Sequence, residues 1–166
     1  MELAAAYVDF SDFQAEVAGN VAAGLDYCMK AIAILDHEAT AEPHDFRVIT
    51  EDMDAYLSLG MLHLGNGAAG SIGTVSRGAK ALERALVLYQ SAIQMEPLNV
   101  SVRQRGATIG ALLGDAMLKL GDRPRSLDYF RRSLDSLNLI NATAQNIVAQ
   151  VNEVFRDQQN RRSVFD

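Results

Sequence analysis

Residues 65–70 spell Gly-Asn-Gly-Ala-Ala-Gly, a literal GxGxxG. That pattern cradles a pyrophosphate where it follows a strand and opens a helix, so that backbone N–H groups converge on the anion. Here the preceding residues have helical periodicity and no βαβ alternation surrounds the glycines. The kinase glycine loop fails for a related reason, since no strand lysine, HRD or DFG follows. Residues 73–80 miss the phosphate-loop pattern GxxxxGK[ST], because Ala79 precedes Lys80 and Ala81 follows it.

The other reactive side chains are equally sparing. His37, His44 and His63 lack metal-ligand spacing, and none lies in HExxH. Cys28 falls on a helical pattern with no base beside it in sequence, so it reads as a small core hydrophobe rather than a nucleophile. Glu51, Asp52, Asp54, Asp115 and Asp128 are spaced as a solvated helix face, and no pair stands out for acid–base work. Arg103, Arg105, Arg123, Arg125, Arg131, Arg132, Arg161 and Arg162 give the second half a basic bias. Helix-end complementarity explains that bias better than an acidic peptide partner does. These residues predict no catalysis, no cofactor and no metal.

The elements that position these groups are helical. The chain has 166 residues, 49% hydrophobic and 22% charged, with three prolines and no tryptophan, which suits one all-α domain with a sizeable core. A net charge of −6 with interspersed signs argues against a nucleic-acid partner. One cysteine excludes an internal disulfide. No apolar run predicts membrane insertion and no signal peptide is evident, so the expected location is cytoplasmic.

Periodicity predicts about seven helices. Leu3, Tyr7, Phe10, Phe13 and Val17 mark the first, over 1–18, which starts without a cap as a piece cut from a longer chain would. A second runs from Gly19 toward Pro43, a third spans about 45–64, and a fourth starts near 76–80 after a glycine-rich loop over 65–78. Pro97 stops the fourth near Met95, and Asn99 is placed to cap the fifth. Ile109, Leu112, Leu113, Ala116, Met117 and Leu120 form the stripe of the fifth, and Gly114 inside it predicts close approach by a partner helix. Gly121 and Asp122 suit a helix end and the next start, with Pro124 tolerated in the first turn. Leu127, Phe130, Leu134 and Leu137 form the next stripe. A capping helix is predicted over 139–160, striped by Ile140, Ala144, Ile147, Val151, Val154 and Phe155, with a polar outer face.

The pattern repeats. Gly60 and Gly67 lie 17 and 24 residues beyond Pro43, as Gly114 and Gly121 do beyond Pro97. Gly19, Leu25, Asp26 and Tyr27 match Gly121, Leu127, Asp128 and Tyr129 at one shared offset. Ala85-x3-Tyr89-x2-Ala92-x4-Pro97, then Leu113-Gly114, Gly121-Asp122 and Phe130, resembles the tetratricopeptide repeat. Ser126 and Ser133 stand where that family has alanine, and the link from Pro97 to Gly114 is longer than usual. The stretch EPLNVSVRQRGATIGALLGDAMLKLGDRPRSLDYFRRSL resembles the repeats found C-terminal to the kinase domain in some bacterial serine/threonine protein kinases.

The resemblance implies a right-handed α–α superhelix over 1–166, a solenoid whose first helices line a concave groove. By position, Asp54, Leu57, Met61 and Leu64 from one repeat would line it, with Ala111, Asp115, Leu118 and Lys119 from the next. Leu57 and Met61 stand where a carboxylate clamp would need polar groups, so an apolar helix or extended segment is the better guest. The implied role is protein binding, as scaffold or sensor, in the non-catalytic part of a kinase; a membrane-anchored parent would make it extracytoplasmic. The alternatives are a small ligand- or nucleotide-binding protein using loop 65–78, and a self-associating module whose terminal helices pair as a homodimer.

Overall fold

The computed structural model describes residues 2–65 and 72–162, with the backbone alone for 72–73 and 147–162. The described residues form six α-helices and one short π-helical segment. These are α1 (Glu2–Asp12), the π segment (Phe13–Val17), α2 (Val21–Ala41), α3 (Phe46–Leu64), α4 (Ile72–Met95), α5 (Val100–Lys119) and α6 (Arg123–Arg162). Each helix packs on the next, and α1 also touches α3, as α3 touches α5. The odd-numbered helices therefore lie in one row. Among the described residues no helix is long and apolar enough to cross a membrane.

The helix ends follow from local chemistry. Asn20, Asp45, Asn99 and Asp122 each accept a backbone N–H from the first turn of the helix they precede, at 2.7–3.1 Å. Such caps contribute about 1 kcal/mol each. Glu42-Pro43-His44-Asp45 and Glu96-Pro97-Leu98-Asn99 make the same turn. In each, the fourth N–H reaches the first carbonyl, at 3.2 and 3.1 Å, and the fourth side chain caps the next helix. At Gly121, φ is +83°, and the N–H groups of Gly121 and Asp122 return to Leu118 and Met117. That doubly bonded reversal ends α5.

The main core joins α3, α4 and α5 around Met53, Leu82, Val102, Ile109 and Leu113, all but excluded from solvent. A smaller cluster of Ala4, Ala31, Leu35 and Ala55 joins α1, α2 and α3. Glycines let the helices approach. A Cβ on Gly60 would lie 2.5 Å from Leu82, and one on Gly114 would lie 2.7 Å from the Phe130 ring. The two glycines thus occupy matched places, each in the first helix of a hairpin against a large side chain of the second. The Tyr89 ring, between buried Ala85 and Ala92, presses on Gly106 of α5 in the same way.

Four expectations require correction. The capping helix expected over 139–160 is continuous with α6, because Leu137-Asn138-Leu139 contains neither glycine nor proline to interrupt it; among the described residues the count is six α-helices rather than about seven. The loop expected over 65–78 is shorter, since α4 already starts at Ile72 and Gly78 packs against Leu64 within it. The first helix loses its α-helical register after Asp12, and the π segment begins at Phe13.

The fourth correction concerns α6. Of the expected stripe, Phe130 packs on α5 at Gly114, but Leu127, Leu134 and Leu137 do not face α5: they are 57%, 58% and 48% exposed, while Ser126, Ser133 and Ser136 are buried. Gly110 brings α6 so close that a Cβ there would meet both Ser133 and the Tyr129 carbonyl at 3.2 Å. Leucine would not fit, and serine can satisfy its hydroxyl: Ser133 donates to the Ala107 carbonyl at 2.7 Å. At the other end Ala4 and Ser11 are buried on α1 while Leu3 and Phe10 are more than half exposed.

Candidate functional site

The row of odd-numbered helices leaves a cleft of about 730 Å³. One wall is the π segment, which contributes Ala15 and Glu16, with Asp12 just before it. The Ala18 N–H reaches back to the Phe13 carbonyl, five residues away, at 3.1 Å. That bond closes one wide turn at the end of the first helix. The floor is the end of α3, where Met61, Leu62 and Leu64 supply apolar surface and Ser58 a hydroxyl. The far wall is α5, through Leu112, Asp115 and Lys119.

The electrostatics are one-sided. Lys119 is the one base among the described lining residues, and Asp115 holds it at 2.7 Å. Asp12 is crowded by acids. Burial pushes its carboxyl above the usual carboxylate range, a hydrogen bond from Ser58 opposes this, and the charges of Glu16, Asp9 and Asp54 push it further up.

Of the eight groove residues expected from sequence, Met61, Leu64, Asp115 and Lys119 line this cleft. Asp54 does not. It faces Arg105 of α5, with Nε 2.5 Å from its carboxylate, and borders a smaller cavity of about 120 Å³ with Ala5, Val8 and Leu35. Leu57 packs against the main core, Ala111 is half-buried outside the cleft, and Leu118 is half exposed. Sequence reasoning missed Asp12, Ala15, Glu16, Ser58, Leu62 and Leu112. The first three share a helix face, at i, i+3 and i+4, but it lies opposite the stripe of Leu3, Tyr7, Phe10, Phe13 and Val17 that was expected to pack. Ser58, Leu62 and Leu112 lie one turn or less from expected residues and were within reach of the same helical positions.

The remaining chemistry-bearing groups are accounted for structurally. Cys28 is fully buried, its Sγ donates to the Ala55 carbonyl at 3.1 Å, and burial pushes the thiol up to about 12. Such a thiol is inert rather than nucleophilic. The solvated-face reading of the carboxylates fails at Asp52, which is buried on α3 near Asp36 of α2 and Arg84 of α4. Burial and the Asp36 charge push it up to about 6, and Arg84 opposes them.

Several arginines are engaged within the fold. Arg103 donates to the Pro97 carbonyl, Arg105 pairs with Asp54, Arg125 with Glu83 and Arg132 with Asp128. His63, at the end of α3, is held below the ordinary imidazole range by burial and by Arg77. Among the described residues no three His, Cys, Asp or Glu side chains come together as a metal site. Of the GxGxxG motif, Gly65 ends α3, while Asn66 to Gly70 lie outside the described residues. No protein-family model matches the chain, and no curated protein matches it.

Proposed function

We propose that this chain is a protein–protein interaction module of tetratricopeptide type, a curved stack of helical hairpins that holds a peptide segment along its odd-numbered helices. The observation that carries this reading is the cleft between the π segment, α3 and α5, with Met61, Leu62 and Leu64 beneath it. Concave rows of helices bind extended or helical segments, and a leucine–methionine surface adapts to apolar side chains. The matched Glu-Pro turns and the matched settings of Gly60 and Gly114 support the repeat. We read the module as the non-catalytic C-terminal part of a bacterial serine/threonine kinase, acting as scaffold or sensor, with catalysis elsewhere. A kinase domain in the reading frame upstream of Met1 would support that placement, and an unrelated short frame would count against it.

The test of the binding reading is selection of peptides from a display library against the wild-type chain. Selected peptides should lose most of their affinity for Met61→Glu, which puts a charge on the apolar floor, while Leu134→Glu on the outer face of α6 leaves affinity unchanged. Equal binding to all three chains would sink the cleft as the site.

A second reading, self-association, draws on a separate observation. Leu127, Leu134 and Leu137 on α6 and Leu3 and Phe10 on α1 leave an apolar face at each end of the stack. A second copy stacked end to end would cover one face with the other. Molar mass by light scattering decides it: a concentration-dependent dimer that Leu134→Glu abolishes supports this reading, and a strict monomer at high concentration refutes it.

A further inference from the structure

The cleft carries a charge pattern that narrows the guest. Asp12 and Glu16 sit one turn apart beside an apolar floor, and the only base among the described lining residues, Lys119, is already held by Asp115. Asp9 and Asp54 add negative potential from outside the cleft, and each raises the cost of ionising Asp12. Asp54 is itself compensated by Arg105, so the excess falls on the Asp12–Glu16 wall. Like charges held together beside low-dielectric surface attract a cation more strongly than the same charges spread over open solvent. Asp12, Ala15 and Glu16 fall at i, i+3 and i+4, so one helix face carries all three into the same cleft.

We propose that the cleft takes a cationic amphipathic peptide segment, its apolar side chains on Met61, Leu62 and Leu64 and its lysine or arginine side chains against Asp12 and Glu16. This rests on the peptide-binding reading above and adds the sign of the guest. An acidic segment would meet the same wall with like charge, which costs affinity and slows encounter. Of the arginines of the second half, Arg103, Arg105, Arg125 and Arg132 are engaged with acceptors of the chain, and none of these four lines the cleft.

The experiment uses three synthetic amphipathic peptides of equal length, leucine with lysine, leucine with serine and leucine with glutamate, each labelled for fluorescence anisotropy. The leucine–lysine peptide should bind the wild-type chain at least about tenfold more tightly than the other two. The double variant Asp12→Asn/Glu16→Gln should lose about tenfold of that affinity. The control Asp26→Asn/Asp128→Asn removes the same net charge from exposed ion pairs with Lys30 and Arg132, and should lose less than about twofold. Circular dichroism verifies that each variant is folded.

Equal losses in the two double variants would reduce the attraction to net charge and overturn the proposal. Tighter binding of the serine or glutamate peptide would overturn the sign of the guest while leaving the peptide cleft in place. No binding by any of the three, together with failure of the display selection, would remove the peptide-binding reading itself.

Discussion

The guanidinium of Arg84 on α4 stops 3.9 Å from the buried carboxylate of Asp52 on α3, and neither Asp52 oxygen accepts a hydrogen bond. Arg84 lies instead over the Tyr56 ring, 5.8 Å from its centroid, and half of its side chain is in solvent. The pair is therefore loose: one partner is desolvated and the other is not. A buried charge without a close partner costs stability.

The first prediction follows from the sign of that cost. The folded state raises the Asp52 carboxyl from 3.8 to about 6, so folding takes up a proton there. The stabilisation from that proton is fully present below about pH 4 and is lost as pH rises through about 6. Asp52→Asn, which stays neutral, should stabilise the chain at pH 7 by on the order of 2 kcal/mol and have little effect at pH 4. Urea unfolding of both chains across that range measures the difference. A variant less stable than wild type at pH 7 would mean that Arg84 more than offsets the burial.

Gly114 and Gly60 provide the second prediction. In an exposed helix, replacing glycine by alanine stabilises by about 1 kcal/mol. Here the added methyl would enter the Phe130 ring or the Leu82 side chain. Gly114→Ala and Gly60→Ala should each destabilise by about 1–3 kcal/mol. Phe130→Leu should recover part of the Gly114→Ala loss, because the two share one space, and a double-mutant cycle reads the coupling.

The serine face of α6 makes a third. Ser133→Leu should destabilise by about 3 kcal/mol or more, through overpacking against Gly110 and loss of the hydrogen bond to Ala107. Leu134→Ser, one residue on and 58% exposed, should change stability by less than about 0.5 kcal/mol. Thermal melts of the two variants separate the observed packing from one in which the leucines face α5.

Cys28 makes the fourth. Its thiol is buried and pushed up to about 12, so little thiolate is present near neutrality. Reaction with a thiol-specific disulfide reagent should be undetectable over minutes in the folded protein and complete in urea. Rapid labelling under native conditions would show that the α2–α3 contact opens readily.

The helix ends were the most legible part of the sequence, because proline, glycine and capping residues act locally. Pro97 ended α4, Asn99 capped α5, and Gly121 with Asp122 turned the chain into α6, each through a bond within a few residues. The matched offsets from Pro43 and Pro97 likewise pointed to matched turns and to glycines in matched settings. The orientation of α6 was less legible, since it depends on how closely α5 approaches. The stripe of leucines satisfied helical periodicity, yet glycines on the neighbouring helix selected serines for the interface.

The site divides in the same way. Met61 and Leu64 on α3, and Asp115 and Lys119 on α5, came from straight helices whose faces periodicity can assign. Asp12 and Glu16 lie on the face opposite the apolar stripe of the first helix, so the stripe pointed away from them. Asp52 occupied a position that charge alone would place in water, and only the packing of α2 and α4 over α3 buries it.

The cleft as a peptide site is most directly tested by amide shifts in a nitrogen-15-labelled chain titrated with the leucine–lysine peptide. The account predicts that the largest shifts fall on residues 12–16, 58–65 and 112–119, three segments distant in sequence that meet only at the cleft. Shifts centred on Leu127, Leu134 and Leu137, with those three segments unmoved, would contradict it.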